Sequence, residues 1–210
     1  MKNIINALEW RYATKVFDSS KKLSNQQVSD LKKATQLSAS SYGLQPYKVL
    51  IISDKSIMEK LKPASYGQVQ IIDSSHLFLF CAMKGFNKED VDRFVDLNVE
   101  ITGASKENMK TFHGMMDMKM DSMNEEENLL WATKQAYIAL GNLLTAAAVM
   151  EIDTCPIEGF IPQQYTEILG LDEMGLEPLV LSAIGFRSDK DKYQSVPKVR
   201  KSESNLFIEL

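Results

Sequence analysis

The sequence is poor in the residues that enzymes most often use for nucleophilic and metal chemistry. Its 210 residues include two histidines and two cysteines. It has no H-E-x-x-H, C-x-x-C or G-x-S-x-G motif, and its ten glycines never fall as G-x-G. Because zinc prefers histidine and cysteine ligands, we expect no catalytic metal. The sequence therefore favours chemistry that a bound cofactor brings to the protein.

Basic clusters and long apolar runs are also missing. The 24 Lys and Arg against 28 Asp and Glu give a net charge of −4, so we expect no nucleic-acid partner. The most apolar segment, residues 136–150, falls short of the roughly 20 residues that a spanning helix needs, so we expect no membrane partner. No signal peptide is recognisable. The sequence predicts a cytoplasmic protein in which Cys81 and Cys155 are buried free thiols.

Apolar spacing and capping residues predict helices that alternate with strands. Helices are expected after the capping residues Asn3, Ser24 and Asp54, and Pro162 suits the first turn of a helix that ends near Gly170. Buried strands are predicted at residues 47–53, 76–83 and 179–186. Residues 87–123 are predicted to be helical in pieces, and a long helix follows from about residue 125 to 151. This order of elements predicts a single α+β or α/β domain.

The long helix carries apolar residues on more than one face. Such a helix is buried either in the core of one domain or in an oligomer. Small residues, among them Ala139 and Gly141, would permit another helix to approach closely. Both interpretations, a dimer interface and a monomeric core helix, stay open at this point.

Four separated segments have a residue composition that suggests a binding site. They are residues 11–15, 40–46, 156–159 and 197–200. Arg11, Lys198 and Arg200 could converge on an anionic group, because arginine forms forked hydrogen bonds with phosphate and lysine supplies a point charge. The alternative is that each is an ordinary solvated cation on the surface.

Taken together, these segments resemble the FMN-dependent nitroreductase family that uses NADH or NADPH. The resemblance covers nearly the whole chain. It is carried by R-Y-A-T-K-V-F-D (11–18), S-S-Y-G-L-Q-P-Y (40–47), D-S-S-H (73–76), W-A-T-K-Q-A-Y (131–137), P-I-E-G-F (156–160) and P-K-V-R (197–200). Each stretch alone is weak evidence for the family, but the order and spacing of all six are fairly specific to it.

The resemblance implies an α+β, nitroreductase-like sandwich with a mixed central sheet flanked by helices. It implies a homodimer whose long central helices form the interface, with FMN bound there. Residues 1–210 would form one FMN-binding domain, and residues 87–123, approximately, would be a helical insertion near the substrate pocket.

The resemblance also assigns residues to the cofactor. The phosphate would be held by Arg11, Lys198 and Arg200, with backbone contacts from Tyr12 and Ala13. Lys15 would lie against the pyrimidine edge of the flavin, Gln135 would contact the ribityl chain, and Ser40 and Ser41 would approach from the partner subunit. One ring face would be covered by Pro156, Ile157, Glu158 and Gly159, with a backbone N–H of Glu158 or Gly159 aimed at flavin N5.

The chain departs from the family before its second strand. Relatives often have an Asn and a Lys that contact the pyrimidine, whereas Gly67 and Gln70 stand there in this sequence. Gln68 and Gln70 are the candidate ring contacts of this stretch. The substrate pocket is assigned to Tyr42, Tyr66, Gly67 and Phe112. The insertion is rich in methionine, which suits either an adaptable pocket or core filling.

The implied activity is transfer of hydride from NADH or NADPH, through flavin N5, to nitroaromatic, quinone or related acceptors by a ping-pong mechanism. Lys15 and Glu158 are the candidate catalytic residues. A fixed ammonium at Lys15 would stabilise negative charge on the reduced flavin. The Glu158 side chain alternatively caps its loop or pairs with a cation. Two other functions stay open, namely a protein that stores, cleaves or senses FMN, and a helix-rich interaction module without cofactor.

Overall fold

The computed structural model describes residues 3–210, in which helices lie on both faces of one sheet. The helices are α1 (Ile4–Trp10), α2 (Asn25–Gln36), α3 (Lys55–Ala64), α4 (Gln70–Asp73), α5 (Lys88–Thr102), α6 (Lys106–Asp121), α7 (Glu125–Val149), α8 (Pro162–Leu169) and α9 (Glu203–Leu206). The strands are β1 (Tyr47–Ile52), β2 (His76–Met83), β3 (Asp153–Ile157) and β4 (Leu176–Gly185). The predicted α+β class is confirmed.

The sheet has the strand order β1-β2-β4-β3. All three pairings between neighbouring strands are antiparallel. The resemblance implies a mixed sheet, whereas the four named strands pair only in antiparallel fashion. The parallel component within residues 3–210 is an isolated bridge between Ala13 and Thr154. Strands β1 and β3 are the two edges, and the segment after α1 runs beside β3.

The sequence of the central strand β2 is a continuous apolar run because both of its faces are buried. Leu77 and Leu79 pack on one face with residues of α3 and α8, and Phe78 and Phe80 pack on the other with residues of α2 and α7. Successive side chains of a strand point to opposite faces, so a strand covered on both sides is apolar throughout. The strand occupies the predicted residues 76–83.

The sequence analysis misses β3, to which it assigns no strand. This strand contains Pro156, which has no N–H to donate to a neighbouring strand, whereas a central strand is hydrogen-bonded along both of its sides. The observed pairing resolves the difficulty, because β4 is the only named strand that pairs with β3, and the isolated bridge on the other side of β3 involves Thr154 and not Pro156.

The predicted longer helices agree closely with the structure, whereas the four-residue helices α4 and α9 are not predicted. Capping boxes at Ser24 with Gln27, and at Asn124 with Glu127, begin α2 and α7. Residues 87–123 form two helices, and Gly103 ends the first in a left-handed conformation with φ of 72°. Of the helices within residues 3–210, none has the length and hydropathy of a membrane span.

Both cysteines are buried free thiols, as predicted. Cys81 packs between the sheet and the helices on one face, and burial raises its pKa to about 12. Burial also raises the pKa of Cys155, although the nearby Lys15 and Arg11 cations oppose that shift. Cys155 therefore lies next to the segment that the sequence analysis assigns to a binding site.

Candidate active site

A cleft of about 620 Å³ separates the segment after α1 from the C-terminal segment. One wall comes from residues 9–15, the floor includes Pro156 of β3, and the other wall comes from residues 193–200. The residues of the predicted site that line it are Arg11, Tyr12, Ala13, Lys15, Pro156, Lys198 and Arg200. Tertiary folding thus brings three of the four predicted segments together.

Two bridges fix the segment that carries Arg11 and Lys15. Ala13 pairs with Thr154, and Phe17 pairs with Arg187 after β4. The N–H of Thr14 donates to the carbonyl of Thr154 at 3.1 Å, and the Thr14 side chain is buried. Lys15, the next residue, is exposed and lines the cleft.

The cleft is positively charged around Arg11. The pKa of Arg11 is lowered by burial and then by the nearby Arg200 cation. Among residues 3–210, no group accepts a hydrogen bond from the buried Nε of Arg11. Buried N–H groups without an acceptor are rare in folded proteins. Two like charges and an unused donor are therefore available for an anion.

Lys198 has a different local role from the one assigned by resemblance. Its Nζ donates to the carbonyl of Leu8 at 2.6 Å and of Glu9 at 3.0 Å, and also to the carbonyl of Arg11. These carbonyls end α1, where helical partners are lacking, so the lysine caps the helix. Burial, followed by the cations of Arg11 and Arg200, lowers the pKa of Lys198. The lysine adds positive charge to the cleft, but its three donors hold α1.

Asp191 is a buried residue of the site that the sequence analysis does not identify. Its Oδ2 accepts from the N–H of Lys15 at 2.7 Å, from the N–H of Val16 at 3.1 Å and from the hydroxyl of Tyr12 at 3.0 Å. Its Oδ1 accepts from the N–H of Tyr193 at 3.0 Å. Burial acts to raise the pKa of Asp191, but these hydrogen bonds to the carboxylate leave it lowered.

Arg187 and Asp153 form a second polar cluster that the sequence analysis misses. The guanidinium of Arg187 lies 4.2 Å from the ring centre of Trp10 and 4.6 Å from that of Tyr12. Its Nε donates to Asp153 Oδ1 at 2.7 Å. The available signal is the charged stretch R-S-D-K-D (187–191) directly after a buried strand, but that pattern does not show which charges are buried.

Ser40, Ser41 and Gln135 form a separate group with two of the predicted pocket residues, Tyr42 and Phe112. The N–H of Ser41 donates to Gln135 Oε1 at 2.8 Å, and Gln135 is buried on α7. The rings of Tyr42 and Phe112 lie 5.7 Å apart. Among the described residues, these five do not line the cleft. The resemblance places the two serines on the partner subunit's side of the site, which requires such a separation within one chain.

The stretch before β2 meets the end of β3. Nε2 of Gln68 donates to the carbonyl of Gly159 at 2.7 Å, so these two predicted contacts are adjacent. Tyr66 is exposed and Gly67 has φ of 73°, a conformation that suits glycine. Gln70 is buried, with 7% of its surface exposed.

The two predicted residues that precede Gly159 differ in their surroundings. The side chain of Ile157 packs in the core beneath the sheet. Glu158 is exposed, and its Oε1 accepts a hydrogen bond from the hydroxyl of Tyr137 on α7 at 2.5 Å. Burial, and then the bond to Glu158, raise the pKa of Tyr137. The carboxylate is thus held by a hydroxyl of α7, and not by the loop backbone or the cation that the alternative interpretation names.

Comparisons with known proteins identify the family of the chain. Residues 8–186 match the sequence profile of the nitroreductase family. A Staphylococcus saprophyticus protein whose name assigns it to the NAD(P)H nitroreductases is 33% identical, over 97% of this chain and 94% of its own length. A comparable protein of Staphylococcus haemolyticus is 34% identical, over 90% of each chain.

Solved structures show the same fold. A nitroreductase structure from Exiguobacterium sibiricum, described as a complex with FMN, has a TM-score of 0.86 at 20% identity. The match covers 100% of this chain and 98% of that one. The profile match covers most of the chain, and the relatives match nearly their full length. The chain belongs to the nitroreductase family.

Proposed function

We propose that this protein binds FMN in the cleft and uses it to pass reducing equivalents from NADH or NADPH to an electrophilic acceptor. The observation that carries the proposal is the pair of arginines, Arg11 and Arg200, in a cleft of about 620 Å³. The buried Nε of Arg11 lacks an acceptor within residues 3–210, and a phosphate group would supply one. The family membership and the FMN complex of the Exiguobacterium structure support the same cofactor.

Different residues of the chain bind different parts of the cofactor. Arg11 and Arg200 hold the phosphate, and Lys198 adds positive charge there while it caps α1. Backbone groups of Tyr12 and Ala13 complete the phosphate end. Contacts to the rest of the cofactor are assigned to Ser40, Ser41, Gln68, Gln70, Gln135 and residues 156–159.

Lys15 is the residue that we assign to the chemistry. FMN, when bound, supplies the atom that accepts hydride and carries the resulting negative charge. Lys15 is exposed at the cleft on a backbone held by two bridges, so the chain that carries its ammonium is held in advance. A charge placed beforehand stabilises a developing charge without the cost of reorganisation. Glu158 contributes through its backbone, because its carboxylate is bonded to Tyr137.

The acceptors that we propose are nitroaromatics, quinones or related conjugated electrophiles, reduced in a ping-pong cycle. Their pocket lies near Tyr42, Tyr66, Gly67 and Phe112, with residues 87–123 as a helical insertion beside it. The contact between the rings of Tyr42 and Phe112, which joins the Ser41–Gly43 turn to α6, supports this placement. Residues 1–210 act as one FMN-binding domain.

We also propose a homodimer with FMN at its interface. A stripe of α7 is exposed in the single chain, and it includes the apolar residues Leu130 and Ile138 and the small residue Gly141. Sedimentation velocity tests the interface with Ile138→Arg, which should shift the protein toward monomer. Leu97→Arg on α5 is a matched control, since Leu97 and Ile138 are 50% and 49% exposed. Equal sedimentation of both variants and the wild type would argue against this face.

The first experiment is the visible spectrum of the purified protein, followed by titration with FMN. We expect a yellow protein, or an apoprotein that binds FMN. A colourless preparation that FMN does not reconstitute would end the cofactor proposal. Anaerobic stopped-flow mixing with NADH and with NADPH should then bleach the flavin.

A flavin-loaded protein that neither nucleotide bleaches would favour storage, cleavage or sensing of FMN. One observation supports that second function. Gln70 and Gly67 stand where relatives often have Lys and Asn, and Gln70 is buried, so this stretch brings no cation to the ring. A steady-state screen of nitroaromatic, quinone and enone acceptors would identify the acceptor class. Intersecting rather than parallel double-reciprocal lines would contradict the ping-pong cycle.

A further inference from the structure

The carboxylate of Asp191 is buried behind the backbone that carries Lys15. Asp191 is 1% exposed, whereas the side chain of Lys15 is exposed and lines the cleft. A single oxygen, Oδ2, accepts from the N–H of Lys15 at 2.7 Å and from the N–H of Val16 at 3.1 Å. The buried anion therefore contacts the chain directly at the proposed catalytic lysine.

These two hydrogen bonds restrain the backbone on both sides of the Lys15 Cα. The N–H of Lys15 belongs to the peptide plane before its Cα, and the N–H of Val16 belongs to the plane after it. Peptide planes are rigid, so a hydrogen bond to each plane restrains the two soft backbone dihedrals at Lys15. The direction of the Cα–Cβ bond follows from those dihedrals, and with it the region that the ammonium can reach.

The same carboxylate joins the two walls of the cleft. Oδ2 also accepts from the hydroxyl of Tyr12, and Oδ1 accepts from the N–H of Tyr193. Tyr12 and Tyr193 line the cleft from opposite walls. Segment 11–16 lies outside the named helices and strands, so its shape depends on such contacts and on the two bridges.

We propose that Asp191 is a positioning residue that acts through Lys15: its carboxylate holds the lysine backbone so that the ammonium is placed before the flavin is reduced. This inference rests on the proposed function, namely that the cleft binds FMN. A site whose charge is already in place avoids reorganisation during the reaction, and that placement requires supporting hydrogen bonds behind the charged residue. The competing explanation is that Asp191 only stabilises the fold.

A double-mutant cycle between Asp191→Asn and Lys15→Ala separates the two explanations. Residues that act through one another give non-additive effects. In the wild-type background, Asp191→Asn should slow flavin reduction about 10-fold, since displacements near 1 Å can cost up to about 100-fold. In the Lys15→Ala background, the same change should slow it less than about twofold.

The midpoint potential of bound FMN provides a readout besides activity. Asp191→Asn should shift the potential in the same direction as Lys15→Ala, and should shift it no further when Lys15 is already Ala. Asp189→Asn is the matched control, because Asp189 is an exposed aspartate two residues away. Its rate and potential should equal those of the wild type.

Two results would overturn the inference. One is an equal loss of rate in both backgrounds, which indicates general disruption of the site. The other is a folded Asp191→Asn variant with wild-type rate and potential.

If Asp191→Asn does not fold, Tyr12→Phe replaces it, since this variant removes one donor to Oδ2 and keeps the ring. Its smaller loss should again vanish in the Lys15→Ala background, and an equal loss in both backgrounds, or no loss in either, would overturn the inference.

The outcomes also distinguish this inference from the proposed function. A wild-type protein that does not bind FMN would rule out both the proposed function and the positioning role of Asp191. A protein that binds FMN and is bleached by a nicotinamide nucleotide, but shows an additive cycle, removes only the role of Asp191.

Discussion

The guanidinium of Arg187 lies 4.2 Å from the centre of the Trp10 ring, which joins the loop after β4 to the last residue of α1. The ring of Tyr12 lies 4.6 Å from the same guanidinium, and Asp153 of β3 pairs with it. One side chain therefore connects three parts of the chain that are distant in sequence. The wall of the cleft that carries Arg11 and Lys15 is built on this connection.

Replacement of Arg187 by methionine should destabilise the protein by about 3 kcal/mol, because it leaves the buried Asp153 carboxylate without its cation. Urea unfolding measures the loss. The double variant Arg187→Met with Asp153→Asn should recover part of it, since a neutral amide replaces the unpaired charge. A single-variant loss below about 1 kcal/mol, the value of an exposed ion pair, would show that this pair is not structurally important.

Lys15→Ala should slow flavin reduction by NADH or NADPH at least about 10-fold, because it removes the charge placed for the reduced cofactor. Anaerobic stopped-flow absorbance measures the rate. Lys60→Ala, at an exposed lysine on α3, is the control and should leave the rate unchanged. Sedimentation should show both variants in the oligomeric state of the wild type. An unchanged rate of bleaching would remove Lys15 from the mechanism.

Arg200→Ala should weaken FMN binding about 10-fold, since a charged hydrogen bond to phosphate contributes about 1.5–3 kcal/mol. Titration of the apoprotein with FMN gives the dissociation constant. Lys201→Ala removes the adjacent exposed cation and should have little effect. The assignment of the phosphate end is wrong if the Arg200→Ala constant stays within about twofold of the wild-type value.

The stability of the protein should fall on acidification in part because of Asp191. Its pKa is lowered in the folded state, so the carboxylate stabilises the fold above the ordinary aspartate pKa of about 4. This contribution is lost as the pH falls through the lowered pKa. Urea unfolding from neutral pH to about pH 3 should show a shallower loss for Asp191→Asn than for the wild type. Equal slopes for the two proteins would contradict this assignment.

The local structure could be predicted where the signals are local. The capping box of Ser24 and Gln27 begins α2 as expected, and the apolar run 76–83 forms β2 at the predicted residues. These elements follow from side chains within a few positions of one another. The sequence resemblance likewise placed Arg11, Lys15, Lys198 and Arg200 in one site, and the structure brings all four to one cleft.

The unpredicted features depend on contacts between distant segments. Pro156 argues against a strand until its position at the edge of the sheet is known. The sequence analysis assigns Lys198 to the phosphate, with a solvated surface cation as the alternative, and only the position of the C-terminal segment brings its Nζ to the end of α1.

The sequence by itself determined the longer helices and strand β2, because propensity, capping and apolar spacing are properties of neighbouring residues. Its resemblance to a known family, and not these local signals, assigned the cations of the site. Only the tertiary structure decided which charges are buried. Asp189 and Asp191 are two residues apart, yet one is exposed and the other is buried against the N–H of Lys15. Burial of a carboxylate requires donors to satisfy it, and here those donors come mainly from a segment about 175 residues earlier in the chain.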